Sequence, residues 1–518
     1  MDRWYIKLGS IVIGLVLAIS ISSCRKDFDY VPSSGNLQFS KDTVFLDTIF
    51  TNIGSSTYTL KVYNRSNEDV LIPFVGLEDG QNSSYRLNVD GQAGKEFDNI
   101  PLLAKDSLFV FIETTFDVSP TQKNEFLHTD AIVFGSGANQ QEVQLVTLVK
   151  DAVFLYPRTL SNGTKETLVL GMDEDGNEIR VEGFFLETDE LQFSKEKPYV
   201  IYGYAAVPEG NILDMEAGTR VHFHKNSGII VNDGAAIHIN GALSQDQEIL
   251  ENEVIFEGDR LEPTYANEPG QWGTIWIREG SNNNLISHLT IKNATVGIRA
   301  DGDGVLTDPT LTLKNVQVYN SQNHNLWATT ASIIAENTVL GSAGGSSFYG
   351  NVGGKYVFTH CTFANFWNNG PRTAPTLLLD NFTTGTSGET LTADLENAAF
   401  VNCIIDGTQS IEFSLFENAG AAFNFNFKNC LLTFNDSNNQ FTDNPLYNFD
   451  DLDHYQNNIF NQDPDFQRPF ENQFHIGSNS AAIDAADPTI VPPIVSDILG
   501  NDRTPNPDIG AYEKSVDN

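Results

Sequence analysis

Three observations predict an all-β chain built largely on a solenoid of stacked coils. First, one polar slot returns after short β-rich runs. It falls at Asn293, Asn315, Asn337, His360, Asn381, Asn402 and Asn429, at steps of 22, 22, 23, 21, 21 and 27 residues. A single coil of that length cannot bury its own apolar face, so coils must stack. Second, 35 Phe and 41 Gly stand against 3 Met, which suits strands and turns rather than helices. Third, most candidate strands are short and bounded by Gly, Asn or Asp. Stacked at about 4.8 Å, they place equivalent asparagines within hydrogen-bonding reach.

The elements follow in chain order. Residues 1–23 read as a signal peptide, with Arg3 and Lys7 ahead of an apolar run at 11–19 that is too short for a comfortable bilayer span. Ile21-Ser22-Ser23-Cys24 resembles a bacterial lipobox, and the resemblance implies that Cys24 is lipidated. Arg25-Lys26-Asp27-Phe28-Asp29 resembles the charged tether of surface lipoproteins of the Bacteroidota. The expected location is therefore the outer membrane, at its exposed face, with the membrane as a partner through the lipid anchor. Residues 24–36 are polar and punctuated by Gly, Pro and Ser, as a tether is.

Residues 37–153 alternate apolar and polar positions over several short runs, as in 43–50, 58–64 and 107–112, and read as a β-sandwich. The stretch 52–66 (Asn-Ile-Gly-Ser-Ser-Thr-Tyr-Thr-Leu-Lys-Val-Tyr-Asn-Arg-Ser) resembles the opening of Hydin-type immunoglobulin-like domains. Leu103-Ala104-Lys105-Asp106-Ser107-Leu108-Phe109-Val110 is similar to their middle. The resemblance implies a spacer or binding module. Residues 154–195 read as a connector. Within it, Asp173, Glu174, Asp175 and Glu178 form an acidic turn without the twelve-residue spacing of an EF-hand, so calcium is only a candidate cofactor.

The solenoid is expected over 196–437. Trp272-Gly273-Thr274-Ile275-Trp276-Ile277 and the following 278–286 resemble the entry coils of secreted bacterial β-helix proteins. The segment as a whole resembles the right-handed parallel β-helix of the pectin-lyase type. Residues 438–518 carry Asp463-Pro464-Asp465-Phe466, Ser480-Ala481-Ala482-Ile483-Asp484 and Pro507-Asp508-Ile509-Gly510-Ala511-Tyr512-Glu513. These resemble the C-terminal signature of bacterial surface β-helix proteins and are expected to cap the open end of the stack. Asp497, Arg503 and Asp508 are its candidate pinning network.

Charge and cysteines narrow the function. With 30 Lys+Arg against 68 Asp+Glu, a formal net charge of -38, the chain lacks the basic surface that nucleic acid requires. It also disfavours bare polyanionic glycans. Cys361, Cys403 and Cys430 each follow the recurring slot. An odd count argues against disulfides, and the shared position suggests an inward stack of thiols rather than a metal site.

No nucleophile elbow, HExxH, P-loop or dinucleotide fingerprint appears. The candidate ligand contacts are Trp272, Trp276, Trp327 and Trp367, because sugar C–H faces stack on flat aromatic rings. Asp301 and Asp303, beside Arg299 in a Gly-rich loop, are the candidate carboxylates of a hydrolase. A lyase would need cationic side chains, for which Arg278, Lys292, Arg299, Lys314, Lys355, Arg372 and Lys428 are the candidates. Lys292, Lys314 and Lys428 precede the slot and are expected on one outward row. The leading expectation is non-catalytic carbohydrate binding or surface adhesion, with a polysaccharide as partner. The alternatives are a polysaccharide lyase or glycoside hydrolase, and a structural envelope scaffold.

Overall fold

The computed structural model describes residues 29–117, 125–173, 175–304, 307–385 and 388–514. The expected signal peptide and the expected lipidation site, Cys24, lie outside these residues. The described chain is strands and short 3-10 turns, with no α-helix, in two compact units, 1–150 and 151–518.

The first unit is an immunoglobulin-like sandwich. One sheet orders Val31–Pro32, Val70–Leu77, Glu125–Phe134, Gln141–Lys150 and Thr43–Phe50, with Glu96–Leu102 paired to Val70–Leu77. The other orders Gln38–Phe39, Tyr58–Tyr63, Ser107–Thr114, Tyr85–Val89 and Gln92–Gly94. Alternation decides the burial. In Ser107–Thr114, Leu108, Val110 and Ile112 face the core, while Phe109 and Phe111 stay exposed.

The second unit is a parallel β-helix of three long sheets. Sheet A has eleven strands, from Val153–Leu155 to Ile459–Phe460. Sheet B has ten, from Thr167–Met172 to Phe413–Phe416, and sheet C ten, from Gln192–Phe193 to Tyr455–Gln456. Each coil visits C, then A, then B. One such coil is Asn284–Ser287, Leu289–Lys292 and Ile298–Asp301. Inward residues stack on themselves from coil to coil: Phe358, Phe400 and Phe427 are in register, with ring centroids 5.4 and 4.9 Å apart. Cys361, Cys403 and Cys430 are buried free thiols in the same core.

The recurring slot divides between corners. His288, Asn315, Asn337, His360, Asn402, Asn429 and Asn457 occupy equivalent places at the turn from C to A, and all have positive φ, between 46° and 56°. Asparagine tolerates this left-handed conformation better than most residues. Asn337 donates to Asn315 at 3.0 Å, and the Asn315 and Asn402 amide nitrogens each lie 3.0 Å from a histidine Nε2 of the preceding coil. Asn293 instead sits at the turn from A to B, where Asn320 donates to it at 2.6 Å. Asn381 follows a sheet B strand and holds Asn418 and Ala422. The two steps of 21 are thus one coil of 42 residues, lengthened by the hairpin Phe382–Thr384 and Thr390–Thr392. Because the slot divides between two corners, the three lysines do not share a row. Lys314 and Lys428 precede the C-to-A corner, paired with Glu336 and Asp487, whereas Lys292 precedes the A-to-B corner.

Two further segments differ from expectation. The 154–195 connector contributes strands to all three sheets, and its acidic turn is a hairpin in which Asp173 accepts from the backbone of Asp175 and Asn177. The C-terminal signature lies along the outer face of sheet A rather than over the end. Gly510 and Ala511 donate to Asn402 O and Thr362 Oγ1, and Tyr512 donates to Gln317, far back along the stack. Arg503, 2% exposed, bonds Glu513, Asn337 Oδ1 and the carbonyls of Asp508 and Gly510. The end of the stack is plugged instead by aromatic rings: Phe434, Tyr447, Phe449 and Tyr455. A flat apolar flank on sheet A needs cover as much as an open edge does.

Candidate functional site

The outer face of sheet B brings together side chains that lie far apart in the chain. Parallel register places Ile230, Trp276, Arg299, Trp327, Tyr349 and Leu378 in one outward column, one residue per coil. Trp276, Arg299, Trp327 and Tyr349 are half-buried between fully buried inward neighbours. The Arg299 guanidinium lies 4.3 Å from the Trp276 ring centre and 5.2 Å from that of Trp327. Trp327 and Tyr349 continue the ladder at 6.1 Å, with their planes 16° apart. Cation–π contact of this kind contributes about 0.5–2 kcal/mol, more as water is excluded.

Carboxylates lie two residues further along the strands, on the same face. Asp301 receives Arg299 through Nε at 3.2 Å and Nη2 at 2.9 Å, and accepts Trp276 Nε1 at 2.7 Å. The ion pair therefore locks the ring and the guanidinium into one unit. Further along, Asp380 accepts the Tyr349 hydroxyl at 2.9 Å, Asn351 Nδ2 at 3.0 Å and Val352 N at 2.7 Å. Burial raises the pKa of Asp380 and, with the nearby Asp380 charge, that of Tyr349. At the other end, Leu168 and Val181 of the hairpin formed by Thr167–Met172 and Glu178–Phe185 fold over Ala206 and Ile230, with Trp276 at their edge. Arg278 ties that hairpin down through the Leu170 carbonyl at 2.9 Å.

The remaining sequence candidates lie elsewhere. Trp272 is 1% exposed and belongs to the core: it stacks on Phe223 at 4.3 Å and donates to Lys292 O. Alternation does point 272 and 276 the same way on an ideal strand, but the chain turns between them, since Trp272 bridges Ala294 while the strand starts at Ile275. Trp367 follows the A-strand Thr362–Asn365 and packs near Gly344 in the preceding A-to-B turn. Asp303 sits in the B-to-C turn, in a pocket with Arg278, Asp233 and Glu279. Tyr349, Asn351 and Asp380 were not singled out from the sequence. The signal for Tyr349 was present, because it follows Trp327 by one 22-residue period.

Among the described residues no group of His, Cys, Asp and Glu is arranged to hold a metal ion. No family model matches the chain, and no curated protein matches it. Among solved structures, the catalytic unit of a GH87 α-1,3-glucanase from Streptomyces thermodiastaticus aligns at 10% identity over 73% of this chain and 84% of that one, with a TM-score of 0.25. The human CEP192 PapD-like domain 7 aligns at 10% identity over 25% of this chain and 94% of that one, with a TM-score of 0.16. At scores this low the likenesses carry no argument about activity.

Proposed function

We propose that this chain is a non-catalytic carbohydrate-binding or adhesion protein of the cell envelope, held to the outer membrane through a lipid on Cys24. The supporting observation is the Trp276–Arg299–Trp327–Tyr349 ladder on sheet B. Aromatic surface and a fixed guanidinium recur there at the strand spacing of about 4.8 Å, which suits an extended chain of repeating rings lying along the stack. Asn351 and Asp380 add polar groups beside it.

The same geometry weighs against a hydrolase using the carboxylates of this face. Asp301 and Asp380 are three strand steps apart, about 14 Å, whereas a glycosidase pair stands about 5–9.5 Å apart. Asp301 is moreover committed to Arg299 and Trp276. Soluble glycans screened against the chain lacking residues 1–23, followed by titration of Trp327→Ala and Arg299→Ala, test the reading. Truncation of either is expected to weaken binding about tenfold or more, in line with loss of a stacking contact of ~1–2 kcal/mol. Unchanged affinity in both variants would remove the ladder from the site. Release of reducing ends or unsaturated uronates by the wild-type chain would replace binding with catalysis.

A further inference from the structure

Sheet A changes character along its outer face. Its later strands present Val339, Ala364, Ile404 and Leu431, which the C-terminal segment buries under Phe474, Ile476, Ala482, Ile509 and Ala511. Its earlier strands present Glu257, Thr290, Lys292, Gln317 and Tyr319 on the same side. There the C-terminal segment and the 241–253 loop enclose a cleft of about 1280 Å³, with Gln317 and Tyr319 from the sheet and Gln247, Asn472, Gln473 and His475 around it. The surface is apolar where it is covered and polar where the cleft opens.

Three of the amides at the cleft have their oxygens engaged. Gln317 Oε1 accepts the Tyr512 hydroxyl at 3.0 Å, Gln473 Oε1 accepts Arg468 Nε at 2.8 Å, and Asn472 Oδ1 accepts Ser342 N at 3.4 Å. None of the three NH2 groups bonds to the protein among the described residues, so donors are left over at the cleft. Asp484 and Asp502 supply acceptors on the same walls. Beneath them Tyr319 first, and then Glu257 and Glu253, outweigh burial and raise the pKa of Lys292. Lys514 lines the cleft together with Glu471, Asp484, Asp502, Asp508 and Glu513, so carboxylates outnumber cations where an anionic ligand would sit. An apolar ligand would leave amide donors buried and unmet, at about 1–3 kcal/mol each.

We propose that this cleft is a second saccharide site, which takes an uncharged, hydroxyl-rich oligosaccharide. Sugar hydroxyls accept from the amide NH2 groups and donate to the carboxylates, while phosphate or uronate groups meet the acidic walls. The inference shares the carbohydrate reading given above but uses a different face, so the two fail separately. The experiment titrates the folded chain lacking residues 1–23 with maltohexaose, cellohexaose, xylohexaose and mannohexaose by calorimetry, against Gln473→Leu, Gln317→Leu and Trp327→Ala. At least one of these sugars is expected to bind, with Gln473→Leu and Gln317→Leu each weakening it about tenfold and Trp327→Ala leaving it unchanged. Gln317→Leu also removes the Tyr512 bond, so if it fails to fold, Gln473→Leu alone decides. Binding lost only in Trp327→Ala overturns the cleft and retains the ladder. Absence of binding by all four sugars, or binding indifferent to both cleft variants, overturns the cleft outright.

Discussion

Replacing His360 with Asn isolates one member of the C-to-A corner column. His360 holds a φ of 51° and is 1% exposed. Its Nε2 lies 3.0 Å from Asn402 Nδ2, which has only protons to offer, so Nε2 accepts and the ring is neutral. Burial, reinforced by the nearby Arg503 charge, brings its pKa from 6.5 down to about 3. Below pH 6.5 the unfolded chain takes up a proton that the folded chain refuses. Stability is therefore full above that pH and is lost as the pH falls toward about 3. At ~1.36 kcal/mol per pH unit, lowering the pH from 8 to 5 costs the wild type about 2 kcal/mol through this residue alone. Asparagine, already the commoner residue of the column, tolerates the same φ and offers Asn402 an acceptor, but does not titrate. Urea midpoints of the β-helix transition, followed by circular dichroism at pH 8 and pH 5, should fall by about 2 kcal/mol less in His360→Asn than in wild type. Other titrating groups are common to both proteins and cancel in that difference. Equal pH sensitivity in the two proteins would show that His360 is protonated within the fold, and the hydrogen-bonding direction assigned to the column would be wrong.

Other substitutions report on other parts of the molecule. Trp272→Ala should destabilise the β-helix by ~3–5 kcal/mol, read as a lower urea midpoint, because it empties a fully buried ring site against Phe223. Arg503→Ala leaves the Glu513 carboxylate and two carbonyls without their buried donor. A cost of ~3–5 kcal/mol is expected, with early proteolytic release of the C-terminal segment visible by mass spectrometry. Arg372→Ala should cost as much, since Arg372 and Glu412 form a bidentate pair with side chains 3% and 0% exposed. Cys361, Cys403 and Cys430 should ignore a thiol reagent in the native protein and react fully in urea.

Much of the architecture was legible because it is encoded locally. Asn315, Asn337, Asn402 and Asn429 mark places where the backbone enters the left-handed region, a property of each residue and its turn. The alternation in 107–112 likewise states which side of a strand is buried. The site was legible only in part. Trp276, Arg299, Asp301 and Trp327 were candidates from the sequence and do converge on sheet B. Trp272, Trp367 and Asp303 were candidates by the same reasoning and go to the core, to another corner and to a turn. Residue type marks a side chain able to stack or ionise, but not the face of the coil that will carry it.

Taken alone, the sequence determined that coils exist, roughly how long they are, and which residue type turns their corners. These follow from backbone sterics and from the need of each apolar face for a neighbour. The tertiary structure decided which slots share a column, because one hairpin inserted after Asn381 makes two apparent repeats into one coil. It also decided that the C-terminal signature lies on the flank of sheet A, and that Arg299 rests between two tryptophans. Those outcomes depend on which strand lies beside which, a relation set by coil lengths accumulated along the stack and not written in any single window of residues.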